Sequence, residues 1–237
     1  MDNFRSVLGK EGMGSKGIFV TGTDTGVGKS VVAAALLYQM GQQGRKVGGF
    51  KPVASGAETT PEGLRNEDAL LLQRYSTISL PYDLINPFCF AEPIAPHLAA
   101  SHQGVTLNLE CLKQHYSRLA SHCDAVVVEG AGGWRVPLND QQDFSNLAAS
   151  LGLPVVLVVA IRLGCINHAL LSVESILAKG VPLLGWVANC LDLQTLYLEE
   201  QIETLQTRID APCLGVVPAM NPVAVEEAAK WIDLSRI

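Results

Sequence analysis

The chain has 237 residues and a formal charge of −6, with 48% apolar and only 6% aromatic residues. That length and composition suit one globular domain with a full core and exclude intrinsic disorder. The acidic balance excludes non-specific nucleic-acid binding, which needs a basic face, and no basic run suits an anionic membrane surface.

Residues 1–16, "MDNFRSVLGKEGMGSK", hold no apolar run long enough for a signal peptide and read as a flexible arm, with Met13 as an alternative start. "GIFVTG" (17–22) reads as a strand. "GTDTGVGKS" follows, and then the helical pattern "KSVVAAALLYQMGQQG", with Val32, Leu36 and Met40 on one stripe and a stop at Gly44. Strand, glycine-rich loop and helix are the context of a phosphate-binding loop. Its backbone N–H groups and the helix N-terminus face an anion. Lys29 then reaches the outer phosphates, Ser30 offers its hydroxyl to Mg²⁺, and Gly28 lets the backbone approach closely. The front of the loop is atypical. Thr23 occupies the position of the usual first glycine, and Asp24 lies where partitioning ATPases carry an extra lysine.

"KVGGFK" (46–51) is a second strand, with Lys51 at its carboxyl end, as a plain surface charge or as a partner of the phosphate loop. From Pro52 to His97 the helix signals are confined to "NEDALLLQRY". The remainder, including "LPYDLINPFCFAEPIAPH", is rich in proline and aromatics, and a segment of this kind is predicted to lie over the carboxyl ends of the strands. Asp68 in this segment reads locally as a helix cap. "DAVVVEG" (124–130) ends in Glu129, a candidate for Mg²⁺, with a turn-stabilising or capping role as the alternative.

"PVVLVVA" (154–160) is a fourth strand, and the apolar run around it, Leu153 to Ile161, is about half the ~20 residues of a membrane span. "NHALLSVESILAKG" (167–180) reads as a helix stopped by Gly180. "LLGWVAN" (183–189) and "CLGVVP" (213–218) are further strands. These runs do not alternate with polar residues, which is the pattern of strands buried on both faces. They predict a single P-loop NTPase-like α/β domain over residues 17–237, with a parallel sheet of about six or seven strands and helices on both faces. The six cysteines form no Cys-x-x-Cys pair, so neither a zinc site nor a disulfide framework is indicated and a reducing, cytoplasmic setting is expected.

Taken together, "GTDTGVGKS", "KPVASGAETTPEGLRNEDALLLQR", "NPFCFAEPIAPHLAA", "VEGAGGWRVPL", "RLGCINHALL" and "GWVANC" resemble the dethiobiotin synthetase family, from about Gly17 to about Pro218. The resemblance implies a cyclo-ligase of biotin biosynthesis. Such an enzyme closes 7,8-diaminononanoate and CO₂ into dethiobiotin with ATP and Mg²⁺, by way of a carbamate and a carbamic–phosphoric anhydride. It implies Lys51 and Lys29 as catalytic lysines. Thr25, Gly26, Val27, Gly28, Lys29, Ser30 and Val31 would surround the phosphates, and Gly130, Ala131 and Gly132 would extend the turn after Glu129 toward nucleotide and substrate. Ser30, Asp68 and Glu129 match the magnesium set, and Ser55 matches a substrate contact. Asn189 and Cys190 match one side of the base pocket and Pro218, Ala219 and Met220 the other, although Asn189 also suits a simple turn.

The resemblance also implies a homodimer whose substrate site lies near the subunit interface. Leu163, Gly164, Cys165, Ile166 and Asn167 would hold the substrate carboxylate at a helix start, unless they serve as ordinary capping. The hydroxyls of "TDT" would border the amine substrate. The chain departs from the family at Gly26, where many members have glutamate, and at Arg162, where lysine is expected. A family tyrosine that reaches the neighbour's substrate falls on Gln201 by spacing, with Tyr197 one turn away. Two alternatives of other classes share the loop. One is a cobyrinate-type amidating synthetase, which expects a glutaminase domain that has no room here. The other is a partner-driven ATPase switch, against which Asp24 and "KPVASG" both count.

Overall fold

The computed structural model describes residues 17–236, so the expected arm at residues 1–16 lies outside the described residues. Six strands form one parallel sheet: β1 (Gly17–Gly22), β2 (Val47–Phe50), β7 (Ala125–Glu129), β8 (Val155–Ala160), β9 (Leu183–Asn189) and β10 (Cys213–Val217). Their order is β10-β9-β8-β1-β7-β2. Every residue of β1, β2, β7 and β8 is buried, which is why these runs carry no alternation. All six strands of this sheet fall within the runs read from sequence.

The chain passes from β1 to the edge strand β2, returns to β7 between them, and continues to β8 on the other side of β1. The order therefore reverses around β1. In an open α/β sheet the ligand crevice forms at such a reversal, beyond the carboxyl ends of the strands.

Helix α1 (Lys29–Gln42) follows β1. The expected stripe of Val32, Leu36 and Met40 is buried, and so are Ala33, Ala34, Ala35 and Leu37. The buried surface is wider than one stripe because α1 is covered by α2 (Glu67–Tyr75) and by α9 (Val225–Lys230). Gln39 Nε2 ties α1 to the C-terminal segment through the carbonyls of Ala229 (2.6 Å) and Ile232 (2.7 Å).

The segment from Pro52 to His97 holds more structure than its one expected helix. β3 (Val53–Ala54) pairs in parallel with β6 (Phe88–Cys89), and β4 (Glu58–Thr60) forms a hairpin with β5 (Gly63–Arg65). Two short helices follow, α3 (Tyr82–Ile85) and α4 (Pro96–His102), the latter opened by its proline. Elements of two to four residues are too short to show a period, so pattern reading cannot detect them.

Four helices complete the layers: α5 (Leu109–Ala120), α6 (Phe144–Leu151), α7 (Cys165–Ala178) and α8 (Leu198–Arg208). Only α7 corresponds to a helix expected from sequence, and it starts two residues before the expected Asn167. No helix among the described residues is long and apolar enough to cross a membrane.

Candidate active site

Apart from Asp68, which stands in the first turn of α2, the residues that sequence singles out for chemistry lie at or just beyond carboxyl ends of the strands. Between β1 and α1 the loop reaches Gly28, which caps α1 with φ 91°. Two constraints select glycine at this position. The dihedral is left-handed, and a Cβ there would overlap Asn189 Nδ2. Gly26 also has positive φ, 71°, but open space surrounds the position its Cβ would take. Asp24 is bonded locally: its Oδ1 accepts the Thr25 N–H at 2.7 Å, and its Oδ2 meets Arg162 Nη2 at 3.1 Å. The non-glycine front of the loop is thus stabilised by its own side chain.

Lys29 is 6% exposed and folds back, so that Nζ donates to the Asp24 carbonyl at 2.8 Å. Burial, reinforced by the like charge of Lys51, pulls its pKa down to about 8. An anion in the loop would relieve both effects.

Lys51 leaves the end of β2 and is 3% exposed, so the plain surface charge is excluded. Its ammonium donates to Glu129 Oε1 at 2.7 Å, to Asp68 Oδ2 at 2.9 Å and to the Gly130 carbonyl at 3.3 Å. Burial would lower the Lys51 pKa, but the two carboxylates outweigh it and hold the pKa above the ordinary value. Asp68 is the converse case. Burial pushes its pKa up, and Lys51 with the Ser30 hydroxyl brings it below the usual carboxylate range. Glu129 is fully buried, and there burial wins over Lys51, so its pKa is raised.

Ser30 Oγ completes the cluster, 2.6 Å from Asp68 Oδ1 and 2.9 Å from Glu129 Oε1. Asp68 is not the cap of its helix. Asn66 caps α2, accepting the Ala69 N–H on Oδ1 at 3.3 Å, and this leaves the Asp68 carboxylate free to face Ser30 and Lys51.

These groups line a cleft of about 890 Å³. Thr25, Gly26, Gly28, Lys29, Ser30, Val31, Lys51, Ser55, Asp68, Glu129, Ala131 and Gly132 all reach it. Val27 is turned into the core, 1% exposed, and Gly130 contributes its carbonyl to Lys51. Pro93, Ile94, Ala95 and Pro96, with Leu71 and Val136, line the cleft as well. Sequence reading had put this proline-rich stretch over the strand ends without naming these residues.

The remaining candidates lie outside the cleft. Asn189 is 6% exposed at the end of β9 and donates Nδ2 to the Val27 carbonyl at 2.9 Å, so it braces the phosphate loop. Cys190 is buried, and the Cys190 N–H donates to the Val217 carbonyl at 2.9 Å. Pro218, Ala219 and Met220 follow β10 and are partly buried. Leu163 is fully exposed, Gly164 caps α7, Cys165 is buried, Ile166 is half-buried and Asn167 is exposed.

Among the described residues no group of three or more His, Cys, Asp or Glu side chains is arranged to hold a metal ion. The cluster offers two carboxylates and one hydroxyl, all oxygen donors, and Glu129 Oε2 is buried with no hydrogen-bond partner. Mg²⁺ takes such sites, with few protein oxygens and the rest from water and phosphate. The residues present fit that ion.

A family profile described as an AAA domain matches residues 16–227. The chain is 51% identical over 217 residues to the ATP-dependent dethiobiotin synthetase BioD of Pseudomonas aeruginosa (strain UCBPP-PA14), covering 91% of this chain and 95% of that protein. It is 49% identical over 223 residues to the Cellvibrio japonicus (strain Ueda107) protein of the same name, covering 94% and 98%. The Pseudescherichia vulneris protein, again of that name, is 46% identical over 220 residues, covering 92% of each chain. Among solved structures, the septum site-determining protein MinD of Pyrococcus horikoshii OT3 superposes with a TM-score of 0.55 at 16% identity, covering 92% of this chain and 86% of its own. That likeness concerns the fold, a six-stranded parallel sheet with helices on both sides carrying a P-loop.

Proposed function

The chain belongs to the family of ATP-dependent dethiobiotin synthetases, and we propose that its cleft joins 7,8-diaminononanoate and CO₂ at the cost of ATP to give dethiobiotin, ADP and phosphate. The observation that carries this reading is Lys51. It is a second buried lysine, bound to Glu129 and Asp68 beside the Ser30 hydroxyl of the phosphate loop. A partitioning ATPase carries its extra lysine at the front of the loop, where this chain has Asp24, whereas here the second lysine comes from the end of β2. A ligase that activates a carbamate also needs a cation for the carbamate and phosphoryl oxygens.

In this mechanism one amine of the substrate adds to CO₂ and loses a proton to give a carbamate. A carbamate oxygen attacks the γ-phosphorus, and the β–γ bridging oxygen leaves with ADP. The second amine attacks the carbonyl carbon of the mixed anhydride, phosphate departs and the cyclic urea closes. CO₂ is a weak electrophile and a carbamate a weak nucleophile, so the chain contributes chiefly position and charge. Lys51 stabilises the carbamate and the transferring phosphoryl oxygens. Lys29 and the amides from Gly26 to Val31 hold the phosphates. Ser55 contacts the diamine, and Gly130 to Gly132 border nucleotide and substrate. Ser30, Asp68 and Glu129 would hold Mg²⁺, which when bound neutralises phosphate oxygens.

Asn189 uses one amide hydrogen on Val27, which leaves its carbonyl and second hydrogen for the edge of a base. Cys190 and Pro218 to Met220 would flank that base.

We infer a homodimer in which Leu163 to Asn167, at the N-terminus of α7, bind the substrate carboxylate near the subunit interface. In support, Leu163, Leu193 (88%), Leu196 (76%) and Tyr197 (73%) expose apolar surface around this element. Tyr197 is the better match for the tyrosine that reaches across. Gln201 is already committed within its own chain, its Nε2 donating to the Leu196 carbonyl at 2.8 Å and its Oε1 accepting from Cys165 Sγ at 3.4 Å.

The test is product formation from ATP, Mg²⁺, ¹³C-bicarbonate and 7,8-diaminononanoate, followed by mass spectrometry. Labelled dethiobiotin in step with ADP is the expected result. Steady ATP loss without product would move the protein to the ATPase switches.

A further inference from the structure

The short helix α3 and the residue after it hold Lys51 by its main chain. The Lys51 N–H donates to the Ile85 carbonyl at 2.8 Å, and the Lys51 carbonyl accepts from Asn86 Nδ2 at 2.7 Å. Asn86 Nδ2 gives its other hydrogen to the Phe88 carbonyl at 3.2 Å. Asn86 Oδ1 accepts from the Tyr82 hydroxyl at 3.0 Å, and that hydroxyl accepts the Asn66 N–H at 2.8 Å. Asn66 is the cap of α2, and Asp68 stands in the first turn of that helix. The chain of bonds thus runs from the main chain of Lys51 through Asn86 and Tyr82 to the cap of the helix that carries Asp68. The salt link of 2.9 Å between Lys51 Nζ and Asp68 Oδ2 closes the ring.

Asn86, Tyr82 and Asn66 are only 2%, 8% and 8% exposed. Buried polar side chains destabilise a fold unless each is bonded, and apolar residues could fill the same space. Here the donor pattern has one consistent direction. Asn66 N–H can only donate, so the Tyr82 hydroxyl accepts there and gives its single hydrogen to Asn86 Oδ1 at 3.0 Å, which is nearer than Cys89 Sγ at 3.6 Å, and both hydrogens of the Asn86 amide go to carbonyls. Burial holds the Tyr82 phenol well above its ordinary pKa, so it remains a donor. A fully bonded network of this kind is rigid. Lys51 and Asp68 come from separate elements, the end of β2 and the start of α2, and the segment between them is a loop with a hairpin.

We propose that Tyr82 and Asn86 are positioning residues that fix the separation of Lys51 and Asp68, Asn86 acting on the Lys51 main chain and Tyr82 on the cap of the Asp68 helix. The inference rests on the functional reading above for the roles of those two groups. A bond network that merely pinned the loop would contribute stability and nothing else. One that sets the separation of Lys51 and Asp68 must affect the binding of the divalent ion and the chemical step, while leaving the phosphate loop intact.

Two near-isosteric variants separate the cases. Tyr82→Phe removes the hydroxyl that links Asn86 to the cap. Asn86→Asp removes the donor to the Lys51 carbonyl. For wild type, both single variants and the double variant, calorimetry gives the Mg²⁺ affinity of the ADP complex, steady-state rates give kcat and KM, and thermal melts give stability. The expected outcome is a roughly 10-fold loss of kcat in each single variant with KM for ATP unchanged. Tyr82→Phe also weakens Mg²⁺ affinity by about 10-fold. The double variant is no slower than the slower single one, because both cut the same chain of bonds. Wild-type kcat and Mg²⁺ affinity beside a lowered melting temperature would overturn the proposal, as would losses that multiply in the double variant. If Tyr82→Phe does not fold, Asn86→Asp decides by kcat and the same Mg²⁺ titration. If wild type makes no dethiobiotin, the functional reading fails, and the Mg²⁺ affinities of the variants still decide this inference.

Discussion

Lys51 is a buried lysine that the fold keeps charged through two carboxylates, of which Glu129 is itself fully buried. Removing the ammonium leaves Glu129 without its counter-ion, so Lys51→Ala should destabilise the protein by about 3 kcal/mol or more in chemical denaturation. The same variant should lower dethiobiotin formation by on the order of 10³-fold while still binding ADP. A variant with normal product formation would remove Lys51 from the chemistry. Asp68→Asn keeps the shape and loses the charge. It should raise the Mg²⁺ concentration for half-maximal turnover by about 10-fold, and an unchanged requirement would limit Asp68 to its bonds with Ser30 and Lys51. For this cluster the sequence puts forward the residues beside their local alternatives and does not choose between them. "NEDALLL" allows Asn66 or Asp68 as the cap, and only the geometry assigns the cap to Asn66.

At the scale of the element, helix termini carry much of the specification. α6 begins with a reciprocal cap, in which Asp143 accepts the Asn146 N–H at 3.2 Å and Asn146 Oδ1 accepts the Asp143 N–H at 3.0 Å. Burial alone would raise the Asp143 pKa, but the Ser145 hydroxyl and Arg135 outweigh it and bring the pKa below its ordinary 3.8. A carboxylate with a lowered folded pKa stabilises the fold above its unfolded value, and that contribution is lost as pH falls through the folded value. Asp143→Ala should therefore cost about 1–2 kcal/mol at pH 7, and the difference from wild type should shrink below about pH 4. Thermal melts across that range test it, and a constant difference would assign the loss to packing. Sequence located α1 and α7 from their apolar spacing and glycine stops. It left α5, α6, α8 and α9 unread, although Asn108 caps α5 and Asp143 caps α6 with the residue types that such caps prefer.

For the whole molecule, the exposed leucines around the start of α7 are the feature that one chain does not explain. If they are the face of a homodimer that completes the substrate site, Leu163→Glu should give monomers by sedimentation. It should raise KM for the diamine by about 10-fold and leave ADP affinity unchanged, since a charge at an interface core is strongly unfavourable. Monomers with an unaltered KM would show that the site needs no neighbour. Tyr197→Phe should raise the same KM without dissociating the dimer.

The sequence by itself determined the sheet and the phosphate loop. Strands buried on both faces must be apolar throughout, and a loop between a strand and a helix carries its own glycine and lysine signals, so both are written locally. The tertiary structure decided the convergence of Lys51 with Glu129, 78 residues away, and with Asp68, 17 residues away. It also decided the brace from Asn189 to Val27 and the link from Asn86 to Lys51. Each of these bonds depends on which strands lie side by side and on how the 52–97 segment folds over them. No periodicity along the chain encodes such a pairing, because the partners are set by packing at a distance and not by spacing.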